Sequence, residues 1–125
     1  MVKANEIRVG NWIADHEAGG FFQVESIYKN AIGVYRASYR NGSIDCTIDA
    51  LEPIPLTEER LIEFGFYYLY ISDNGITFRF EKIGSDWICH ICYSIILKIQ
   101  YVHTLQNLYF ALTGEELEIK GGTNE

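Results

Sequence analysis

The two cysteines set at a motif spacing are those of Cys89-His90-Ile91-Cys92. A C-x-x-C run does redox chemistry when it opens a helix, where the dipole lowers a thiol pKa. Here the run lies in an alternating stretch from Trp87 to Tyr93 that reads as a strand. Residues three apart on a strand point to opposite faces, so the two thiols are expected to diverge. A zinc site would need further ligands, and only Cys46 and the distant His16 and His103 remain to supply them. The cysteines are therefore read as structural. Asp15-His16-Glu17 sets an imidazole between two carboxylates, an acid/base arrangement in a pocket. It falls in a polar stretch ending in Gly19-Gly20, and no Gly-x-Ser-x-Gly context accompanies it, so a solvated turn is expected. The glycines form neither Gly-x-Gly-x-x-Gly nor a Walker-type Gly-Lys-Ser/Thr, so no phosphate-cradling loop is expected. His90 is read as lining a strand, and His103 as capping or beginning the last helix. No catalytic, cofactor-binding or metal-ligating residue is assigned, and the chain is read as a non-enzyme.

Two surfaces remain as candidates. Tyr28-Lys29, Tyr35-Arg36 and Tyr39-Arg40 interleave aromatics with cations, the combination by which small barrels stack and neutralise single strands. Strand alternation puts Tyr35 and Tyr39 on one face and Arg36 and Arg40 on the other, so one pair is expected in the core and the other in solvent. Tyr35, Arg36, Tyr39 and Arg40 are the candidate nucleic-acid contacts. On the last helix, helical spacing sets Asn107 and Phe110 away from the main apolar face, with Gln106 at its edge. Gln106, Asn107 and Phe110 are the candidate protein contacts, with Phe110 as an aromatic anchor.

These residues must be positioned by a chain of 125 residues with 48% hydrophobic residues and 14% aromatics, enough apolar surface to offset the entropy of ordering. The net charge is −7, split as five Lys/Arg against seven Asp/Glu in residues 1–56 and five against ten in 57–125. Such an acidic chain is repelled by phosphate backbones and anionic lipid, which disfavours nucleic acid and membrane as partners. The acidic residues Glu58, Glu59, Glu63, Glu115, Glu116 and Glu118 would attract a basic partner or simply be solvated. The N-terminus shows no apolar signal region, and Trp87 to Leu97 is too short to span a bilayer. Free thiols and a cytoplasmic location are expected.

Strand-like runs fill the first half. They are Ile7 to Ile13 with an irregularity at Gly10-Asn11, Phe22 to Ile27, Ile32 to Tyr39, Ile44 to Asp49, and Leu51 to Ile54. Lys29-Asn30 reads as a tight turn. Asn41-Gly42 tolerates the positive φ angles of a type I′ hairpin turn. Five short strands in about 50 residues suggest an SH3-like small β-barrel over 1–56, or an open meander. Thr57 is a fit N-cap before Glu58 and Glu59, Leu56 and Leu61 sit at staple positions, and Gly65 ends a short helix. Phe66 to Ile71, Ile76 to Lys82 and Trp87 to Tyr93 follow as strands, joined at Asp73-Asn74-Gly75 and Gly84-Ser85-Asp86. Ile95 to Tyr101 is a candidate fourth. A helix over 102–112 closes the chain, with Val102, Leu105, Leu108, Tyr109 and Leu112 on one face and Gly114 beyond its end. The fold class is α+β, an SH3-like barrel followed by an α-β-β-β-α half over 57–125. The two are expected to pack as one unit, because each is small for independent stability.

Three blocks resemble a family of small uncharacterised proteins of Bacteroides-type bacteria and their phages or integrated elements. They are Glu6 to Trp12, Pro53 to Thr57 and Tyr101 to Gly114. The resemblance implies a bacterial cytoplasmic or phage-encoded protein and carries no activity and no functional residues. The leading expectation is a non-enzymatic module that binds a host protein. The alternatives are a small nucleic-acid-binding barrel and a small enzyme of unrecognised type.

Overall fold

The computed structural model describes residues 4–14, 20–66 and 68–119. The chain is α+β, with antiparallel sheets and, among the described residues, two α-helices, and divides into two compact units at Ile54 and Pro55.

The N-terminal unit opens with a 3₁₀ turn at Ala4–Glu6. The stretch from Ile7 onward is not yet strand. The buried Asn11 side chain accepts the Arg8 N–H at 2.7 Å while its own N–H bonds the Arg8 carbonyl. This local loop competes with extension, and Gly10 at φ 95° completes the turn. Strand β1 (Trp12–Ala14) then pairs antiparallel with β2 (Phe21–Gln23). The expected single run from Phe22 to Ile27 is divided. Val24 still bonds the segment just before β1, its carbonyl accepting the Gly10 N–H and its N–H donating to the Asn11 carbonyl, whereas the Glu25 N–H turns to the Ser38 carbonyl. The chain thus passes from one ladder to the next at Val24-Glu25. Beyond it, β3 (Ser26–Lys29), β4 (Tyr35–Tyr39) and β5 (Ile44–Thr47) form a three-stranded antiparallel sheet.

The fourth run ends early, because Ile48–Ala50 closes into a 3₁₀ turn that buries Ile48. The last expected strand is reduced to one bridge, Ala14 to Glu52. Among the described residues no closed barrel forms. Ile7, Ile13, Val24, Ala37, Tyr39, Ile48 and Leu51 make the core.

The C-terminal unit begins as its sequence signals require. Thr57 caps α1 (Glu58–Glu63), its hydroxyl accepting the Arg60 N–H at 3.2 Å. Leu56 and Leu61 are both buried, and Gly65 ends the helix at φ 91°. Four strands follow as a meander: β6 (Tyr70–Asp73), β7 (Ile76–Ile83), β8 (Asp86–Ile91) and β9 (Ile95–Lys98). The fourth run therefore joins the sheet, and the half reads α-β-β-β-β-α. Asn74 and Gly75, both at positive φ, form the two-residue link in which Asp73 faces Ile76.

Strand β6 starts later than the expected Phe66, because Tyr68 and Leu69 adopt left-handed φ angles of 53° and 61°. The turn from β8 to β9 is also left-handed, at Cys92 and Tyr93. Bulky residues there cost about 1–2 kcal/mol each.

One sheet face is buried through Phe78, Phe80, Trp87, Cys89 and Ile91. Against it lies α2 (Val102–Thr113), with the Phe78 and Tyr109 rings 5.2 Å apart. Gly114 closes this helix at φ 78°. The buried stripe of α2 differs from the expected one. Val102, Leu105 and Tyr109 are joined by the polar His103 and Gln106, while Leu112 is exposed. The other sheet face, carrying Tyr70, Arg79 and Ile96, faces solvent. Among the described residues no helix is long and apolar enough to cross a membrane.

Candidate functional site

The aromatic surface of the N-terminal unit is built where β2 passes the tip of the β4–β5 hairpin. Phe22 stacks on the buried Tyr39, ring centroids 5.8 Å apart, and the Arg40 guanidinium lies 5.2 Å over the Phe22 ring. Phe22 thus contacts both a core ring and a cation, two interactions that favour one orientation of its plane. Arg40 reaches it because the hairpin turns through three left-handed residues, Arg40, Asn41 and Gly42. Glu25 holds that turn, its two carboxylate oxygens accepting the Asn41 and Gly42 N–H groups at 2.9 and 3.0 Å. The result is an open groove of about 480 Å³ lined by Trp12, Phe21, Phe22, Glu25, Arg40 and Asn41, among others. Trp, Phe and Arg around a preformed concavity favour apolar and planar groups, with one cation to orient them.

The candidate residues that the sequence singles out are distributed over several places rather than gathered in one. Tyr39 is buried in the core, so its ring supports Phe22 from beneath. Tyr35 shares that strand face but lies at the strand end, exposed, with Lys29 Nζ 5.4 Å over its ring. Arg36 points to the opposite face and donates from Nε to Asp45 at 2.6 Å. The Tyr28 hydroxyl donates to the same carboxylate. These two hydrogen bonds hold the Asp45 carboxyl below its ordinary pKa and raise those of Tyr28 and Arg36. Of the four, only Arg40 lines the groove.

On α2, Gln106 is buried, Asn107 is half-buried and Phe110 is 39% exposed, so Phe110 alone of these three offers a large outward side chain. Sequence patterning does not single out Trp12, Phe21 and Phe22 as site residues.

The two thiols of the C-x-x-C run are separated by the end of the strand rather than by alternation along it, because β8 stops at Ile91 and Cys92 enters the left-handed turn. Cys89 is buried, with burial pushing its thiol up to about 12, and Cys92 is exposed in the turn. Cys46 is half-buried, and none of the three is disulfide-bonded. Asp15, His16 and Glu17 lie outside the described residues. His90 lies on β8, with Nε2 3.1 Å from Glu81 Oε1. His103 is the second residue of α2 and its ring stacks on Tyr101 with centroids 5.9 Å apart. Among the described residues no group of three or more His, Cys, Asp or Glu gathers as metal ligands would.

Compared with protein-family models, curated proteins and solved structures, the chain finds no match.

Proposed function

We propose that this chain is a non-enzymatic binding module that captures a segment of a partner protein in the aromatic groove of its N-terminal unit. The observation that carries this reading is the preformed groove itself. Phe22 stacks on Tyr39 and meets the Arg40 guanidinium, and the hairpin rim is tied down by Glu25. Binding energy at protein interfaces concentrates in Trp, aromatic and Arg anchors set in such concavities. A rim already ordered before binding lowers the entropic cost of association. A host protein in the cytoplasm is the partner class, and an origin in a phage or mobile element is the setting suggested by the three sequence blocks.

An SH3-like arrangement of the N-terminal unit belongs to the same proposal. Three features support it: β1 meets the last segment of the unit through the Ala14 N–H to Glu52 carbonyl bond of 2.9 Å, the chain crosses between ladders at Val24-Glu25, and a 3₁₀ turn precedes that last segment.

Phe21 and Arg40 are the groove residues to vary, because both are exposed and neither belongs to the core. The experiment is selection of binding peptides from a random display library. Enriched peptides are expected to lose at least about tenfold in affinity to Phe21→Ala and Arg40→Ala, each worth more than about 1.4 kcal/mol as an anchor. Enriched peptides that bind both variants as well as the parent would refute the groove. A salt-dependent gel shift with single-stranded nucleic acid that depends on Tyr35 and Arg40 would instead favour the nucleic-acid alternative.

A further inference from the structure

The open face of the four-stranded sheet carries a second, smaller concavity that the groove reading does not use. The meander register places Tyr70, Arg79, His90 and Ile96 on one rung across β6 to β9. Thr77 lies two residues before Arg79 on the same face, and Tyr93 stands in the turn after β8. Tyr70, Thr77, Arg79, His90 and Tyr93 line a pocket of about 170 Å³.

Three features set it apart. Arg79 is a cation on the more acidic half of the chain, and among the described residues its side chain has no carboxylate partner. Glu81, one rung away, takes up His90 instead, with 3.1 Å between them. Three of the residues that line the pocket with that cation, Tyr70, Thr77 and Tyr93, carry hydroxyls able to donate. Finally, Tyr93 is held in a left-handed conformation at φ 68° behind Cys92 at φ 50°, although neither is glycine. Strain of that kind persists where the structure gains something by aiming a side chain.

We propose that this pocket binds a phosphate monoester, with Arg79 as the anchoring cation and the three hydroxyls on the remaining oxygens. Arg presents a planar fork of N–H donors that engages two phosphate oxygens at once. A monoester offers three terminal oxygens as acceptors, which suits a cation ringed by hydroxyls better than the two oxygens of a carboxylate. Tyr70 and Tyr93, both exposed, offer aromatic surface to the esterified group, and His90, held by Glu81, completes the lining.

The test is a titration of the full chain with phenyl phosphate, followed by amide chemical shifts, with benzoate as the carboxylate on the same body. Phenyl phosphate is expected to give saturable shifts at Thr77, Arg79, His90 and Tyr93, binding at least about tenfold tighter than benzoate. Arg79→Gln is expected to remove the saturation and Arg79→Lys to retain part of it, since lysine keeps the charge and loses the fork. Tyr93→Gly relieves the left-handed strain, so it is expected to raise the thermal midpoint while weakening phenyl phosphate. Shifts that map elsewhere, benzoate binding as tightly as phenyl phosphate, or unchanged affinity in Arg79→Gln would each overturn the proposal. Should Arg79→Gln fail to fold, unchanged affinity in the folded Tyr93→Gly variant would overturn it equally.

Discussion

At the scale of the residue, the clearest electrostatic feature is the Asp45 carboxylate, which accepts from Tyr28 and from Arg36 on two neighbouring strands. Sequence patterning places Arg36 on the strand face opposite Tyr35 and Tyr39 but names no partner for it. Asp45 sits two positions off the directly facing residue, on the same face, because Arg36 faces Thr47 and Ser38 faces Asp45. A diagonal pair of this kind follows only once the register is known. It carries a pH dependence whose sign is fixed. The folded-state pKa of Asp45 is depressed by the two donated hydrogen bonds, so its contribution is present above the unfolded carboxylate pKa and is lost as pH falls through the folded one. For Tyr28 the folded pKa is raised, so its contribution is present below the unfolded phenol pKa and is lost as pH rises through the folded one. All three groups are exposed, which keeps the effect small. Asp45→Asn is expected to lower the denaturation midpoint slightly at neutral pH, with the gap to the parent closing below about pH 4. A gap that stays constant into strong acid, followed by circular dichroism, would remove this assignment.

At the scale of the element, the signals legible in the sequence are those with a local mechanism. Thr57 caps α1, Gly114 ends α2, and Asn74-Gly75 makes a two-residue hairpin, each by backbone chemistry confined to a few residues. What the sequence does not reveal depends on distant partners. The break at Val24-Glu25 exists because two ladders compete for one run, and no local feature marks it. The burial of His103 and Gln106 in place of Leu112 reflects where the sheet meets α2, which helical spacing alone does not specify. The pocket on the sheet face lies between these cases. Asp73 facing Ile76 across Asn74-Gly75 places Tyr70 opposite Arg79, and Ile83 facing Asp86 places Arg79 opposite His90. Two short hairpins thus fix that rung, and counting back from them would find it. The cap gives the element-scale test. Thr57→Ala removes the acceptor for the Arg60 N–H and is expected to cost about 1 kcal/mol. Thr57→Ser keeps the acceptor and is expected to stay close to the parent. Urea unfolding measures both, and equal stability of all three would show that the cap contributes nothing.

At the scale of the whole molecule, the two units differ in what they bury. Among the described residues, the N-terminal unit buries one aromatic side chain, Tyr39, within a core of seven residues. Phe64, Phe66, Phe78, Phe80, Trp87 and Tyr109 are all buried in the C-terminal unit. Several are in ring contact: Phe66 with Phe80 at 5.3 Å, Phe80 with Trp87 at 6.2 Å, and Phe78 with Tyr109 at 5.2 Å. Burying an aromatic ring contributes about 1.5–3 kcal/mol, and a ring pair adds about 0.5–1.5. The strand ladders differ in the same direction. The pairing of β7 with β8 runs over six residue pairs, whereas β1 and β2 share three. Opening free energies within one protein follow such differences in local burial and pairing, so protection should be uneven along the chain. We expect amide hydrogen exchange to be slowest in β7 and β8, from Phe78 to Ile91, and markedly faster in β1 and β2. Mass spectrometry of exchanged peptides distinguishes the two directly, because the segments are far apart in sequence. Equal protection in the two units would mean that they open together, and that the aromatic cluster does not set the stability of the C-terminal unit alone. Faster exchange in the N-terminal strands would place the proposed groove on the more labile unit, where peptide binding should slow exchange at Phe21–Gln23 before it affects β7.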